Sequence, residues 1–429
     1  MRFVAPASSV VGHIGLPGDK SISHRAVLLA AVADGETRIR GFGRSLDTEA
    51  TVAAVRVLGV GVDEPAPDEL VVHGVGLRGL RVPAGPIDCG NSGTLMRLLA
   101  GLLAGHGGRF ELTGDASLRA RPMDRVADPL GAMGARVETT AGGAPLAVEG
   151  GELRGVEHEL PVASAQVKSA LLLAGLYADR PTAVVEPHST RDHTEILLRH
   201  AGAHVARRGR RVDVRPTERL SLGEVTVPGD LSSAAPFLAA AILLAGSELT
   251  VHEVGLNPTR TGFVDVLARM GARLTVLHRR RAGGEPLGDL DTRSSELVAT
   301  RVTPREVPRL VDELPLVALV AGLARGTTTV RGAGELRLKE TDRVEAVTGA
   351  LRPLGIHILP ADEGFRVRGV PTRPRGGGVV RARGDHRVAM LGGVAGLVSR
   401  EGVRIEDDEA VAVSFPGFFD LLEAVAQRS

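Results

Sequence analysis

Apolar residues in this chain gather into compact runs, each announced by a turn or a polar cluster. "PGDKSISHRAVLLAAV" from Pro17, "CGNSGTLMRLLAGLLAG" from Cys89, "ASAQVKSALLLAGL" from Ala163, "PGDLSSAAPFLAAAILLAG" from Pro228, "DELPLVALVAGLARG" from Asp312 and "RGDHRVAMLGGVAGLV" from Arg383 all have this form. Each predicts a helix with almost no polar face, which must be surrounded by protein. Between these runs lies a second kind of helix, more charged, with apolar positions three and four apart and a glycine at its end. Examples are "DTEATVAAVRVLGVGV", "TEILLRHAGAHV" and "FVDVLARMGARLTV", and "FPGFFDLLEAV" closes the series. The glycine supplies the left-handed cap that turns the chain into a β-branched strand. Segments such as "ELVVHG", "LAVEG", "VDVRP" and "FRVRGV" alternate like half-buried strands.

The chain therefore repeats one unit, roughly every 70 residues: strand, buried helix, strand, amphipathic helix, then strands. "LPGDKS" at Leu16 and "VPGDLSS" at Val227 are near copies, so the chain reads as a duplication with three units per half. The expected fold is α/β, a two-domain inside-out α/β barrel in which each domain holds three βαβαββ units, buried helices inside and sheets outside. Domain one takes 1–18 and 229–429, with both termini, and domain two takes 19–228. The crossovers fall near Gly18 and Gly229, and the active site is expected in the cleft between the domains.

Composition narrows the partners. The 429 residues are 43% hydrophobic, ample for two cores, but only 2% aromatic with no Trp. Stacking platforms for single-stranded nucleic acid are scarce, and 52 basic residues balance 51 acidic ones, so no globally positive field recruits a polyanion. No nucleic-acid partner is expected. A single cysteine, Cys89, excludes an internal disulfide and any multi-cysteine metal site and fits a reducing compartment. The start lacks a basic region followed by an apolar core, and the longest apolar runs fall short of a membrane span. A cytoplasmic monomer without membrane contact, targeting segment, metal or cofactor is expected; there is no Walker-type phosphate loop.

Anion binding must then come from local clustering. Free N–H groups and the helix dipole favour anions at helix N-termini, and each buried helix here begins with polar residues. The first is the richest, with Lys20, Ser21 and Arg25 on its opening turns. The near copy at Pro228 keeps the turn but has neither Lys nor Arg, which assigns the chemistry to the first copy. Arg121 is stiffened by Pro122. "LRLKETDRV" places Lys339, Glu340 and Arg343 at one helix start, an arrangement that also suits a salt-bridged face. "GDHR" sets Asp385, His386 and Arg387 before another buried helix, and Asp312 with Glu313 opens a third, either as caps or as carboxylates able to accept a substrate proton. Converging arginines match small ligands with several phosphate or carboxylate groups.

In these residues the chain closely resembles the 5-enolpyruvylshikimate-3-phosphate synthase family. "PGDKSISHR", "GNSGT", "RPM", "SAQVKSALLLAGL", "TRDHTE", "DELP", "LRLKETDR", "GDHRVAM" and "SFPGF" occur in the family's order along essentially the whole length. The resemblance implies transfer of the enolpyruvyl group of phosphoenolpyruvate to the 5-hydroxyl of shikimate 3-phosphate by addition and elimination, with release of phosphate. It implies that Lys20, Asn91, Gly93, Arg121, Gln166, Arg343 and Arg387 hold phosphoenolpyruvate. Shikimate 3-phosphate would be held by Lys20, Ser21, Arg25, Ser164, Gln166, Arg191, Asp312 and Lys339. Asp312 is expected as the base at the hydroxyl, and Glu340 with Lys20 as carriers of protons at the methylene carbon and the leaving phosphate. Gly93 is expected to leave room for glyphosate, with Leu98 nearby. Ala165, Glu335 and Val413 stand where the enteric form has a hydroxyl, an amide and a lysine, so one phosphate donor and one cation are missing; Arg191 is expected to compensate in part. Two alternatives stay open: a UDP-N-acetylglucosamine enolpyruvyl transferase, disfavoured because "GDASLRARPM" has no cysteine, and a non-catalytic anion-binding scaffold of the same fold.

Overall fold

A computed structural model describes residues 1–428 and divides the chain into two compact units. Unit 1 comprises Met1–Pro17, Gly229–Arg280 and Pro286–Ser429, and unit 2 comprises Gly18–Pro228 together with Arg281–Glu285. Each has its own apolar core, the first around Phe237, Leu319 and Leu391, the second around Leu28, Leu99 and Leu172.

In unit 2 the buried helices are Lys20–Ala31, Gly93–Leu103 and Ala165–Gly175; in unit 1 they are Leu231–Leu243, Leu314–Gly322 and His386–Val398. Their Ala, Leu, Gly and Val composition lets them bury every face, and small residues let them approach closely. A Cβ on Gly101 would lie 2.2 Å from the backbone oxygen of Ala170, so the second and third helices touch main chain to main chain.

The sheets share one order. Each of the three in unit 2 begins with a parallel pair and continues antiparallel. Glu224–Thr226 pairs parallel with Asp34–Arg40, which pairs antiparallel with Glu69–Val75. Ile87–Asp88 with Gly108–Thr113, and Glu157–Glu159 with Thr182–Val185, repeat the parallel pair. A parallel pair needs a crossover, and in the second and third repeats of unit 2 the buried helices Gly93–Leu103 and Ala165–Gly175 supply it. In the first repeat of unit 2 the edge strand Glu224–Thr226 comes from the far end of the unit. In unit 1, Ser9–Ile14 pairs parallel with Glu248–Gly255, and the whole of unit 2 intervenes in sequence. The "PG" turns are where this exchange happens. A Cβ on Gly18 would stand 1.8 Å from the oxygen of Gly41, so only glycine fits there. The sixth repeat is completed differently: its parallel pair Val379–Arg381 and Val403–Glu406 is extended by the N-terminal strand Arg2–Val4.

Candidate functional site

In unit 2 the side chains collect at the starts of the three buried helices. Asp19 caps the first, its Oδ1 accepting from the Ile22 amide at 2.9 Å, and this puts Lys20 at the first helical position. Lys20 donates to Asp47 Oδ2 at 2.7 Å, a buried partner that the sequence alone did not reveal. One turn on, the Arg25 guanidinium donates from Nε to Thr194 Oγ1 at 2.7 Å, from Nη1 to the Ser21 carbonyl at 2.8 Å and from Nη2 to Ser169 Oγ at 2.9 Å. Burial first, then the neighbouring Arg191, pushes the Arg25 proton affinity down to about 10. Its hydrogen-bond acceptors are all neutral, and the more distant carboxylates Glu195, Asp19 and Glu285 offset burial only in part. His24 lies behind it, 2.6 Å from Thr51 Oγ1 and 3.4 Å from Ser92 Oγ, the cap of the second helix.

At that second helix Arg121 donates to Asn91 Oδ1 at 2.6 Å and to Ser117 Oγ at 3.3 Å, and Asn91 donates to Asp115 at 2.7 Å. Gly93 opens the helix, where an added Cβ would meet Arg97 Nη1 at 2.7 Å and Arg121 Nη1 at 3.4 Å. Arg97, absent from the expected set, donates to Gln166 Oε1 at 2.7 Å, while Gln166 donates to Thr94 Oγ1 at 2.9 Å. The second and third helix starts are thereby tied together. Ser164 caps the third helix, accepting from the Val167 amide, and Ala165 follows it.

Arg191 is half-buried on a loop that charged core residues secure. Lys168 is fully buried, 3.2 Å from Glu186 and 2.7 Å from Glu195. Glu186 accepts from the Thr190 amide at 3.1 Å, next to Arg191, and Arg207 donates to Glu186 at 2.9 Å. Lys168, Arg207, Glu186 and Glu195 make a charge-balanced quartet of which only Arg207 reaches solvent.

In unit 1 Arg343 is the centre. It is 1% exposed and starts the helix Arg343–Leu351, which Asp342 caps. Its Nε is 2.8 Å from Asp385 Oδ2, its Nη2 2.5 Å from Glu340 Oε2 and its Nη1 3.3 Å from Asp312 Oδ1. Burial works against its charge, but Asp385, Glu340 and Asp312 together raise its proton affinity above the ordinary arginine range. Asp312 and Glu340 are therefore brought onto one guanidinium, each partly exposed. Asp385 caps the helix His386–Val398, accepting from the Arg387 amide. Asp312 does not cap: the helix begins at Leu314, and Glu313 holds the cap position without a side-chain cap bond. Lys339 is half-buried. Its proton affinity is lowered by desolvation and by Arg343, against the pull of Asp312, Glu340 and Glu335. Glu335 thus acts on this set although it was left out of the expected residues.

The helix start at Leu231 corrects the expectation that the second "PGD" copy is bare scaffold. Arg260 donates to Ser232 Oγ at 2.7 Å and to Asp230 Oδ1 at 3.2 Å, and Arg387 donates to the Ser232 carbonyl at 3.3 Å. This copy takes its cations from other segments. Among the described residues no group of His, Cys, Asp and Glu could hold a metal ion, and no helix is long and apolar enough to cross a membrane. Cys89 is fully buried and burial pushes its thiol up, so it is no accessible nucleophile.

Buried helices whose starts gather cations and carboxylates, in two three-repeat units, define an α/β protein with helix starts suited to small anions. A family model described as "EPSP synthase (3-phosphoshikimate 1-carboxyvinyltransferase)" matches residues 4–422. The chain belongs to that family. It is 51% identical over 424 residues to a 3-phosphoshikimate 1-carboxyvinyltransferase of Alkalilimnicola ehrlichii, covering 98% of this chain and 95% of the relative. It is 48% identical over 427 residues to that of Citrifermentans bemidjiense, covering 99% of both. Among solved structures it is similar to an EPSP synthase from Acinetobacter baumannii, with a TM-score of 0.88, 40% identity and coverage of 99% and 98%. The enolpyruvyl transferase NikO from Streptomyces tendae, 20% identical with a TM-score of 0.79 over 98% and 96%, shares the fold.

Proposed function

We propose that the chain transfers the enolpyruvyl group of phosphoenolpyruvate to the 5-hydroxyl of shikimate 3-phosphate, releasing phosphate. The observation that carries this reading is the meeting of Asp312 and Glu340 on the Arg343 guanidinium, at 3.3 and 2.5 Å. A scaffold that only bound anions would gain nothing from carboxylates beside its cation, whereas addition followed by elimination needs groups that take and return protons.

The roles follow from chemistry. Asp312 takes the proton of the 5-hydroxyl as its oxygen attacks the substituted carbon of the enolpyruvyl group. Glu340 and Lys20 carry protons at the methylene carbon and at the leaving phosphate. Elimination of phosphate with loss of a methyl proton then restores the double bond. Lys20, Arg121, Arg343 and Arg387 neutralise phosphoenolpyruvate, with Asn91, Gly93 and Gln166 shaping its place. Ser21, Arg25, Ser164, Gln166, Arg191 and Lys339 hold shikimate 3-phosphate, its phosphate being the natural counter-ion for Arg25. Burial of Cys89 argues against the cysteine-dependent sugar-nucleotide alternative.

The test is phosphate release with both substrates and with each alone. Phosphate is expected only when both are present; none above background with both supports the scaffold reading and ends this one. Light scattering would check a monomer, and localisation of a tagged chain would check the cytoplasm.

A further inference from the structure

Asp312 has a second guanidinium behind it. Arg260 is 3% exposed and stands on the turn between the strand Glu248–Gly255 and the helix Gly262–Arg269. That turn is fixed, because Asn257 accepts from the Thr259 amide at 2.9 Å and the Asn257 carbonyl from the Arg260 amide at 2.8 Å. Nη1 of Arg260 lies 3.9 Å from Asp312 Oδ2 and 3.8 Å from Glu313 Oε1. Arg343 faces the other oxygen, Oδ1. The carboxylate therefore has one guanidinium on each side. Glu313 is 1% exposed, and its Oε1 accepts from the Ser232 hydroxyl.

We propose that Arg260 and Glu313 are positioning residues that set the orientation and the basicity of Asp312: Arg260 anchors its second oxygen, and Glu313 with Asp230 draws off enough of that guanidinium for the carboxylate to accept a proton. The inference rests on the reading that Asp312 is the base at the 5-hydroxyl. A carboxylate held by two fully available guanidiniums is a poor base, since each cation favours its ionised form. Arg343 is shared with Asp385 and Glu340, and Arg260 is shared with Asp230 and Glu313. Both cations are thus shared with other carboxylates, so that each gives Asp312 direction with only part of its charge. The groups that act on this set include Arg343, Lys339 and Glu340 from the segment 339–343, Arg260 from its turn, and Glu313 beside Asp312 in the chain.

The experiment measures phosphate release against pH for the wild type, Arg260→Met, Arg260→Lys and Glu313→Gln. Arg260→Met removes a cation from the base, so the acidic limb of kcat moves to higher pH by about one unit, and kcat at its plateau falls about tenfold to a hundredfold through misorientation. Arg260→Lys restores part of both. Glu313→Gln frees Arg260 toward Asp312 and moves the acidic limb the opposite way, to lower pH. KM for shikimate 3-phosphate changes less than kcat. Opposite displacements of the limb support the proposal; limbs that coincide with the wild type, or move together, overturn it. Should Arg260→Met fail to fold, the Glu313→Gln limb decides alone. A wild type that releases no phosphate overturns the proposed function instead, so the two failures are distinct.

Discussion

Arg25 of unit 2 and Arg343 of unit 1 are both buried arginines of the proposed site. Arg25 is 3% exposed and Arg343 1%, yet their surroundings are opposite. Arg25 donates to two hydroxyls and a carbonyl, and burial with Arg191 pushes its proton affinity down to about 10. Arg343 faces Asp385, Glu340 and Asp312, and its affinity is raised. A buried cation whose hydrogen-bond partners are neutral dipoles keeps most of its charge for an incoming anion; one ringed by carboxylates shares its charge with them and aligns them, leaving less of it for a ligand. In the proposed mechanism unit 2 then offers Arg25 to a ligand's charge, unit 1 holds Asp312 and Glu340 beside Arg343, and Lys20 of unit 2 joins them as a proton carrier.

The largest expected effect tests the unit 1 side. Asp312→Asn keeps the size of the side chain and removes its basicity, so kcat is expected to fall about 10²- to 10⁴-fold. Calorimetric binding of shikimate 3-phosphate should weaken far less. An enzyme with unaltered turnover would sink the assignment.

Next come the arginines themselves, replaced by a residue of similar length without charge. Arg343→Met leaves three carboxylates facing one another, including Asp385 at 0% exposure, and is expected to cost about 3–5 kcal/mol of stability, read as a lower denaturant midpoint. Arg25→Met is expected to do the reverse. It relieves a desolvated charge, and the Ser169 and Thr194 hydroxyls, already 2.7 Å apart, satisfy each other. Its denaturant midpoint stays level or rises, while affinity for shikimate 3-phosphate drops about tenfold to a hundredfold with the loss of charge-assisted hydrogen bonds. If both variants lose stability alike, the contrast between the two arginines is wrong.

Much of this was written in the chain, and the parts that were not share a cause. The buried helices and their starts are local signals: Pro-Gly turns, capping Asp or Ser, then an uninterrupted apolar run. Partners far apart in sequence leave no such signal. Lys20 with Asp47, Arg97 with Gln166, and Arg260 with Glu313 are joined only once the repeats close around a core. Reading the second "PGD" copy as empty failed for the same reason, since its cations arrive from Arg260 and Arg387. One unused signal was composition at finer grain. Of 52 basic residues only Lys20, Lys168 and Lys339 are lysines. Two fall in the expected site and the third is wholly buried under the Arg191 loop, so none of the three lysines is a fully exposed surface charge.

The smallest expected effect sharpens the unit 2 side. His24 is fully buried, and desolvation first, then the charges of Lys20 and Arg25, hold its proton affinity well below the ordinary histidine range of 6.5, against a weaker pull from Asp19. The unfolded chain therefore takes up a proton near pH 6.5 that the folded chain refuses. Stability is complete above that pH and is lost as pH falls toward the folded value, at up to about 1.4 kcal/mol per pH unit. Replacing His24 with Asn, which keeps a polar group toward Thr51 and Ser92, should flatten the fall of the denaturant midpoint between pH 6.5 and about 5, where histidine alone among side chains ordinarily titrates. The local positive field makes a further demand on the same measurement. In Arg25→Met one of the two cations acting on His24 is gone, so its proton uptake comes at higher pH and the loss of stability, which still starts near pH 6.5, ends at a higher pH and is smaller in total. If the slopes of the wild type, His24→Asn and Arg25→Met superimpose, unit 2 does not hold the uncompensated positive charge that distinguishes it from unit 1.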